Sequence, residues 1–266
     1  MLALTAFGAL HYDLVGPSAA PVVCMLHSLT SDSGMWAEQV PALLTAGYQV
    51  LRIDMRGHGG SSATAGEYRI DELAADVVRV LDQLGLSAVH LVGLSIGGMI
   101  GQALAANHPQ RLASLVACAT TAKWDGDSAM MHRRLAAVRA SGSLDPIVDD
   151  AMTQRYSPAL RERRPLRWRA LRETFLGTSL SGYFGCMHAV LNHDVSRLLP
   201  SVRVPVLVVA GSDDPVTPPA ANRTIAAAVP GARYEEISGG RHFLNVEFDD
   251  IFNRLLLDWL ASQGDR

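Results

Sequence analysis

Gly93-Leu94-Ser95-Ile96-Gly97 sets one serine between two glycines, with an apolar run before it (88–92) and a helix-like run after it (96–107). Strand, sharp turn and helix around G-x-S-x-G make a nucleophile elbow. Glycines suit such a turn because a Cβ would collide with neighbouring backbone, and the geometry lifts the serine Oγ clear of the sheet. A serine hydroxyl is a weak nucleophile by itself. It needs a base within hydrogen-bond reach, a group that orients the base, and N–H donors aimed at the oxyanion formed when it attacks a carbonyl. In a chain with 23 glycines among 266 residues the pattern alone is weak, so its meaning rests on its surroundings.

Those surroundings alternate. Short apolar runs at 2–7, 9–15, 21–27, 48–53, 88–92, 112–117, 204–210 and 233–237 read as strands, the first two as an antiparallel start. Helical patterns at 34–46, 71–84 and about 246–261 separate or follow them. In 71–84 the residues Leu73, Val77, Val80, Leu81 and Leu84 recur at helical spacing, with Asp71 as N-cap and Gly85 just past the end. Between 123 and 200 the strands vanish and helices follow one another, at 129–140, 144–153, 159–175 and 180–191. This predicts an α/β core with a mostly parallel sheet, residues 1–122 and 201–266, interrupted by an all-helical cap, residues 123–200.

Composition narrows the function classes. Hydrophobic residues are 48% of the chain, enough for a large core, and charged residues only 18%. A net charge of −3 gives no pull toward nucleic acid or an anionic membrane. Cys24, Cys118 and Cys186 are odd in number and far apart in apolar contexts, which predicts buried thiols in a reducing compartment and neither a disulfide frame nor a metal site. Without a signal-peptide pattern at the start or an apolar run of membrane-spanning length, the expected location is the cytoplasm. The expected partners are a small-molecule substrate and water. No feature sets an oligomeric state.

Four further motifs accompany the elbow. His27-Ser28-Leu29-Thr30 ends the third run, and Ile53-Asp54-Met55-Arg56-Gly57-His58-Gly59 the fourth. Gly211-Ser212-Asp213-Asp214-Pro215-Val216-Thr217-Pro218 follows a later run, and Gly240-Arg241-His242-Phe243 precedes the last helix. In this order, over essentially the whole chain, they resemble the α/β-hydrolase superfamily, whose triad members run Ser, Asp, His. Ser33-Gly34-Met35-Trp36, Asp214 through Pro219 and Pro230-Gly231-Ala232-Arg233-Tyr234 are similar to the 3-oxoadipate enol-lactonase branch, enzymes that open a five-membered enol-lactone. That branch tends to carry cap tryptophans near what are here Met131 and Arg155, and this chain lacks them.

The resemblance implies an α/β-hydrolase fold, an eight-stranded mostly parallel sheet flanked by helices and bearing the cap, and it implies roles. Ser95 is the nucleophile and His242 its base. Asp214 is the orienting acid by the spacing Gly-x-x-Asp-x-x-x-Pro, and Asp213 is a turn or solvent-facing residue. The backbone N–H groups of Ile96 and Leu29 form the oxyanion hole, with Ser28 the rival for the second. Candidate substrate contacts are Ser28, Trp36, Met131, Arg133 and Arg134, although Trp36 fits equally as a packing residue. Arg133 and Arg134 are candidates to bind a carboxylate. Asp54, Arg56 and His58 read as turn stabilisers, and the Arg-rich stretch 161–169 as a solvated helix face. No metal and no cofactor is implied. The expected reaction is hydrolysis of carboxylic esters or lactones. General short-chain carboxylesterase activity is the alternative. Cofactor-free haloperoxidase, carbon–carbon hydrolase and non-catalytic receptor rank lower.

Overall fold

Strand-forming runs separated by helical crossovers build one twisted sheet. The structure is a computed structural model and describes residues 1–5 and 7–264, with the backbone alone at Ser128. In chain order the elements are β1 (Leu2–Thr5), β2 (Gly8–Val15), β3 (Val22–Leu26), α1 (Val40–Thr45), β4 (Gln49–Ile53), α2 (Ile70–Gln83), β5 (Val89–Leu94), α3 (Ile96–Asn107) and β6 (Leu112–Cys118). Then come α4 (Ser128–Ser141), α5 (Asp145–Arg155), α6 (Pro158–Arg163), α7 (Pro165–Gly177) and α8 (Leu180–Leu191). The chain closes with β7 (Val206–Gly211), α9 (Pro219–Ala228), β8 (Arg233–Ile237), α10 (Leu244–Glu247) and α11 (Asp249–Gln263). Ala6, inside the first predicted strand, lies outside the described residues.

The sheet order is β1-β2-β4-β3-β5-β6-β7-β8. β1 and β2, and β2 and β4, pair antiparallel, and every other pair is parallel. β3, β5 and β7 are buried along their whole length, as strands covered by helices on both faces must be. Strand order reverses between β3 and β5. Clefts at the carboxyl ends of strands beside such a switch point are where open α/β sheets bind ligands, and the loops after β3 and β5 meet there, with Leu26 opposite Gly93.

Several helices differ from the sequence reading, each for a local reason. The predicted helix 34–46 is two pieces. Asp32 caps a 3-10 turn, Ser33–Trp36, by accepting from the Gly34 N–H at 2.8 Å, and Pro41, which has no N–H to continue a turn, starts α1 afresh. The predicted 159–175 splits at Arg164 (φ −132°, ψ 61°), the residue before Pro165. The last helix breaks at Phe248, beyond which Asp249 and Asp250 occupy the favourable first turn of α11. The N-cap of α2 is Arg69 and not Asp71, with the Glu72 carboxylate accepting from the Arg69 N–H at 3.0 Å. β7 begins after Pro205, which cannot donate to the ladder.

α4 to α8 rise between β6 and β7 and cover the carboxyl end of the sheet. Their two connections to the core run side by side, with Val195 N–H donating to Ala122 O at 2.9 Å and Trp124 N–H to His193 O at 3.0 Å. The Arg-rich stretch is more than a solvated face. Arg167 pairs with Glu38 at 2.8 Å and donates to Gly34 O, and Arg164 pairs with Asp249 at 3.0 Å, so α7 is clasped to the core. Between α5 and α6, the Ser157 N–H and hydroxyl both donate to the buried Glu247 carboxylate. The three cysteines are buried and unbridged, and burial pushes each thiol up, Cys24 and Cys186 to about 12.

Candidate active site

Ser95 stands between β5 and α3 at φ 58°, ψ −117°, backbone that a side chain rarely adopts. A Cβ on Gly93 would strike the Gly97 carbonyl, and one on Gly97 the Leu26 carbonyl. Only glycine therefore lets α3 start this close to the end of β3. The elbow is tied down on both sides: Ser95 N–H donates to Cys118 O at 2.9 Å, and the Thr120 hydroxyl to Ser95 O at 2.8 Å. Strain of this kind persists where the surroundings over-determine it.

β7 and β8 bring the other two residues together. Gly211 lies opposite Ile237, and Asp213 N–H donates to Gly240 O at 2.9 Å, so the loops after the two strands run together. His242 Nδ1 lies 2.8 Å from Asp214 Oδ2 and donates to it, with both side chains almost fully buried. Asp214 also accepts from the N–H groups of Val216 (2.8 Å) and Thr217 (3.1 Å) and from the Thr217 hydroxyl (2.7 Å). Burial would raise the Asp214 carboxyl, but the facing His242 and the Thr217 donors outweigh it and hold it below the usual carboxylate range. The neighbouring Asp213 is exposed, and among the described residues its carboxylate accepts only from Ser212. The N-cap of α9 is Pro218, and the Thr217 hydroxyl is given to Asp214.

Ser95 and His242 line one cavity beneath the cap. Among the described residues the Ser95 hydroxyl makes no protein hydrogen bond, and the structure does not close a Ser95–His242 bond. In unliganded sites such bonds are often loose and tighten with substrate.

The loop after β3 supplies the facing wall. Ser28 N–H points at the Met35 thioether, 3.3 Å away, which removes it as the rival oxyanion donor. Among the described residues the Leu29 and Ile96 N–H groups meet no protein acceptor, and the Ile96 group opens α3, where the helix dipole adds positive potential. Two buried imidazoles fix this loop from behind. His27 Nδ1 donates to Ser28 O at 2.7 Å while its Nε2 accepts from Met55 N–H at 2.9 Å. His58 Nδ1 donates to Arg56 O at 2.9 Å while its Nε2 accepts from Thr30 N–H at 3.1 Å.

Each imidazole must stay neutral to accept at Nε2. Burial pushes both down, His58 to about 3. An unfolded histidine takes up a proton below about pH 6.5, whereas folded His58 does so only near 3. Stability should therefore be flat above about pH 6.5 and fall as the pH is lowered from there toward 3. Urea midpoints measured across that range should decline, and His58→Gln, whose Oε1 still accepts the Thr30 N–H, should decline less steeply.

The candidate substrate contacts divide. Ser28, Met131 and Arg134 line the cavity. Arg133 does not: one residue along α4 turns it outward, 72% exposed and near Asp127, while Met131 and Arg134 share a face at i, i+3. Trp36 does not either. The tight turn that follows Asp32 buries it completely against Phe252, ring centroids 6.2 Å apart, so it is a core residue. Arg134 pairs with Asp150 beside the cavity. The rest of the lining is mostly apolar, including Met99, Ile147, Phe175 and Val190.

Sequence reasoning missed Arg155, Thr30 and Tyr183, which also line the cavity. Thr30 ends the quoted run His27-Ser28-Leu29-Thr30, while Arg155 and Tyr183 lie in no local motif. Arg155 gained attention only as the place of an absent tryptophan, and its position depends on how the cap docks. Among the described residues no group of three or more His, Cys, Asp or Glu side chains has metal-binding geometry, and no helix is long and apolar enough to cross a membrane.

Comparison with known proteins agrees with this fold. The family model described as alpha/beta hydrolase fold matches residues 21–249. A 3-oxoadipate enol-lactonase of Acinetobacter baylyi is 34% identical over 92% of this chain and 90% of its own length. The crystal structure of an enol-lactonase from Burkholderia xenovorans superposes with a TM-score of 0.94 at 34% identity, covering 98% of this chain and all of the other. A hydrolase from Pseudomonas aeruginosa superposes at 0.92 with 35% identity over 97% of both chains.

Proposed function

The chain belongs to the alpha/beta hydrolase fold family, and from that premise we propose that it is a serine hydrolase of carboxylic esters or lactones working through Ser95, His242 and Asp214. The observation that carries this is the buried Asp214–His242 couple, 2.8 Å long, facing the same cavity as a strained Ser95 flanked by two unengaged N–H groups.

The positions support a triad mechanism. Asp214 keeps the His242 proton on Nδ1 and so leaves Nε2 a free base. His242 takes the Ser95 proton as Oγ attacks the carbonyl carbon. The tetrahedral oxyanion is stabilised by the Leu29 and Ile96 N–H groups. His242 then returns the proton to the leaving oxygen, an acyl-enzyme remains on Ser95, and water activated by the same imidazole releases the acid. In a lactone the leaving alcohol stays tethered, so one product carries both ends. These steps require neither metal nor cofactor.

The cavity and the relatives support one substrate class. A mostly apolar chamber containing the Arg134 guanidinium suits a small acyl compound bearing one carboxylate, and 3-oxoadipate enol-lactone is such a compound. Two relatives from Acinetobacter baylyi carry the enol-lactonase name. The second reading is a general short-chain carboxylesterase, favoured by the apolar lining and by the lack of the branch's cap tryptophans.

Steady-state kinetics on the enol-lactone and on neutral p-nitrophenyl acetate separate the two. A carboxylate-binding Arg134 is worth a charge-assisted hydrogen bond, so Arg134→Ala should raise KM for the acidic substrate roughly 10- to 100-fold and leave the neutral ester within about 3-fold. Equal effects on both substrates, or a wild type that prefers the neutral ester, would favour the general carboxylesterase.

A further inference from the structure

Arg155 closes α5 where the cap meets both catalytic loops. Its backbone carbonyl accepts from Phe243 N–H at 3.1 Å, immediately after His242. Its side chain crosses to the opposite loop, where Nη2 donates to Leu29 O at 2.9 Å and to the Thr30 hydroxyl at 2.7 Å. The Thr30 hydroxyl donates in turn to Leu29 O at 2.7 Å. The guanidinium lies over the rings of Phe243 and Phe175, 5.1 and 4.8 Å from their centroids. Among the described residues no carboxylate pairs with it. Burial therefore pushes its pKa down, to about 10.

A partly buried cation without an acid partner costs stability. What it holds here is a strained peptide. Thr30, β-branched, sits at φ 54°, a conformation such residues avoid. Its N–H is fixed by His58, and the carbonyl of the same peptide, Leu29 O, by Arg155. The Leu29–Thr30 peptide is thus clamped at both ends, and the Leu29 N–H, one peptide upstream, takes its direction from that clamp and from His27 on Ser28 O.

We propose that Arg155 is a positioning residue of the oxyanion hole: its guanidinium fixes the Leu29–Thr30 peptide so that the Leu29 N–H points at the oxyanion on Ser95. The cap is then part of the catalytic apparatus, because one of its residues joins the oxyanion loop to the His242 loop. This rests on the serine-hydrolase reading and on Leu29 as an oxyanion donor.

The test compares wild type with Arg155→Met and Arg155→Lys. The substrates are p-nitrophenyl acetate and a p-nitrophenyl ester bearing a free carboxylate, and the inhibitor is a trifluoromethyl ketone, which forms a tetrahedral adduct with an activated serine. A misdirected donor should lower kcat of Arg155→Met about 10- to 100-fold on both esters with KM within about 3-fold. Affinity for the trifluoromethyl ketone should fall by a similar factor, and Arg155→Lys should recover part of both losses. Should Arg155→Met fail to fold, Thr30→Val removes one acceptor of the same clamp and should lower kcat and ketone affinity together about 3- to 10-fold.

Unchanged kcat on the neutral ester would overturn the proposal. So would a loss confined to KM for the acidic ester, which would make Arg155 a substrate receptor, or a kcat loss with ketone affinity intact. If wild type hydrolyses no ester or lactone, or Ser95→Ala hydrolyses them equally well, the serine-hydrolase reading falls and this inference with it.

Discussion

Ser95→Ala should lower kcat/KM for p-nitrophenyl acetate by roughly 10⁴- to 10⁶-fold, the loss expected when the nucleophile of a cooperating triad is removed. The fold should survive. Alanine carries the same Cβ into the same φ of 58°, and the serine hydroxyl makes no protein hydrogen bond among the described residues, so its removal orphans no buried partner. The thermal midpoint should therefore stay within about 2 °C, since substitutions that open no core cavity and orphan no buried partner shift stability by only about 0.5 kcal/mol. Loss of activity with an unchanged melt is the expected pair of results. Equal activity in the two proteins would exclude Ser95 as nucleophile.

The second large effect separates two adjacent aspartates. Asp214→Asn should lower kcat about 10⁴-fold, because the amide Nδ2 offers His242 Nδ1 a donor in place of an acceptor and so selects the wrong tautomer. The amide oxygen can still accept from Val216 and Thr217, so the loop should hold. Asp213→Asn should change kcat by less than about 2-fold, since Asp213 is exposed and, among the described residues, its carboxylate is bonded only to Ser212. The reverse ranking in steady-state assays would transfer the acid role to Asp213. Asp214 also contributes to stability with a definite sign. Its carboxyl titrates lower in the folded than in the unfolded chain, so its contribution is present above the ordinary carboxylate range and lost as pH falls through the folded value.

What the sequence made legible was local or ordered along the chain. The elbow is five consecutive residues, and its strand and helix are set by neighbouring runs. The central strands β3, β5 and β7 were readable because aliphatic runs buried on both faces stand out, although β7 starts two residues late at the cost of one proline. Asp214 was separable from Asp213 by spacing, and the structure buries the first and exposes the second.

The misses are matters of direction and distance. Trp36 reads equally as core or pocket until the 3-10 turn after Asp32 aims it inward. Arg133 and Arg134 differ by one step of helical phase, fixed by where α4 starts. The side chain of Arg155 meets a loop 126 residues earlier in the chain. No local pattern encodes that contact, which exists only once the cap has docked on the core. His58 looked like a turn stabiliser and does stabilise a turn, but the turn that it and His27 hold carries the Leu29 N–H.

The central claim, an activated Ser95 that forms a covalent acyl-enzyme, is tested most directly by trapping it. The protein is treated with a p-nitrophenyl phosphonate, which transfers its phosphonyl group to an activated serine and cannot be readily hydrolysed off, and is then digested and its peptides weighed. The account requires stoichiometric adduct on the peptide containing Ser95, none in Ser95→Ala, and loss of ester hydrolysis in step with labelling. Adduct formed equally in Ser95→Ala, or full ester turnover in protein labelled at Ser95, would contradict it.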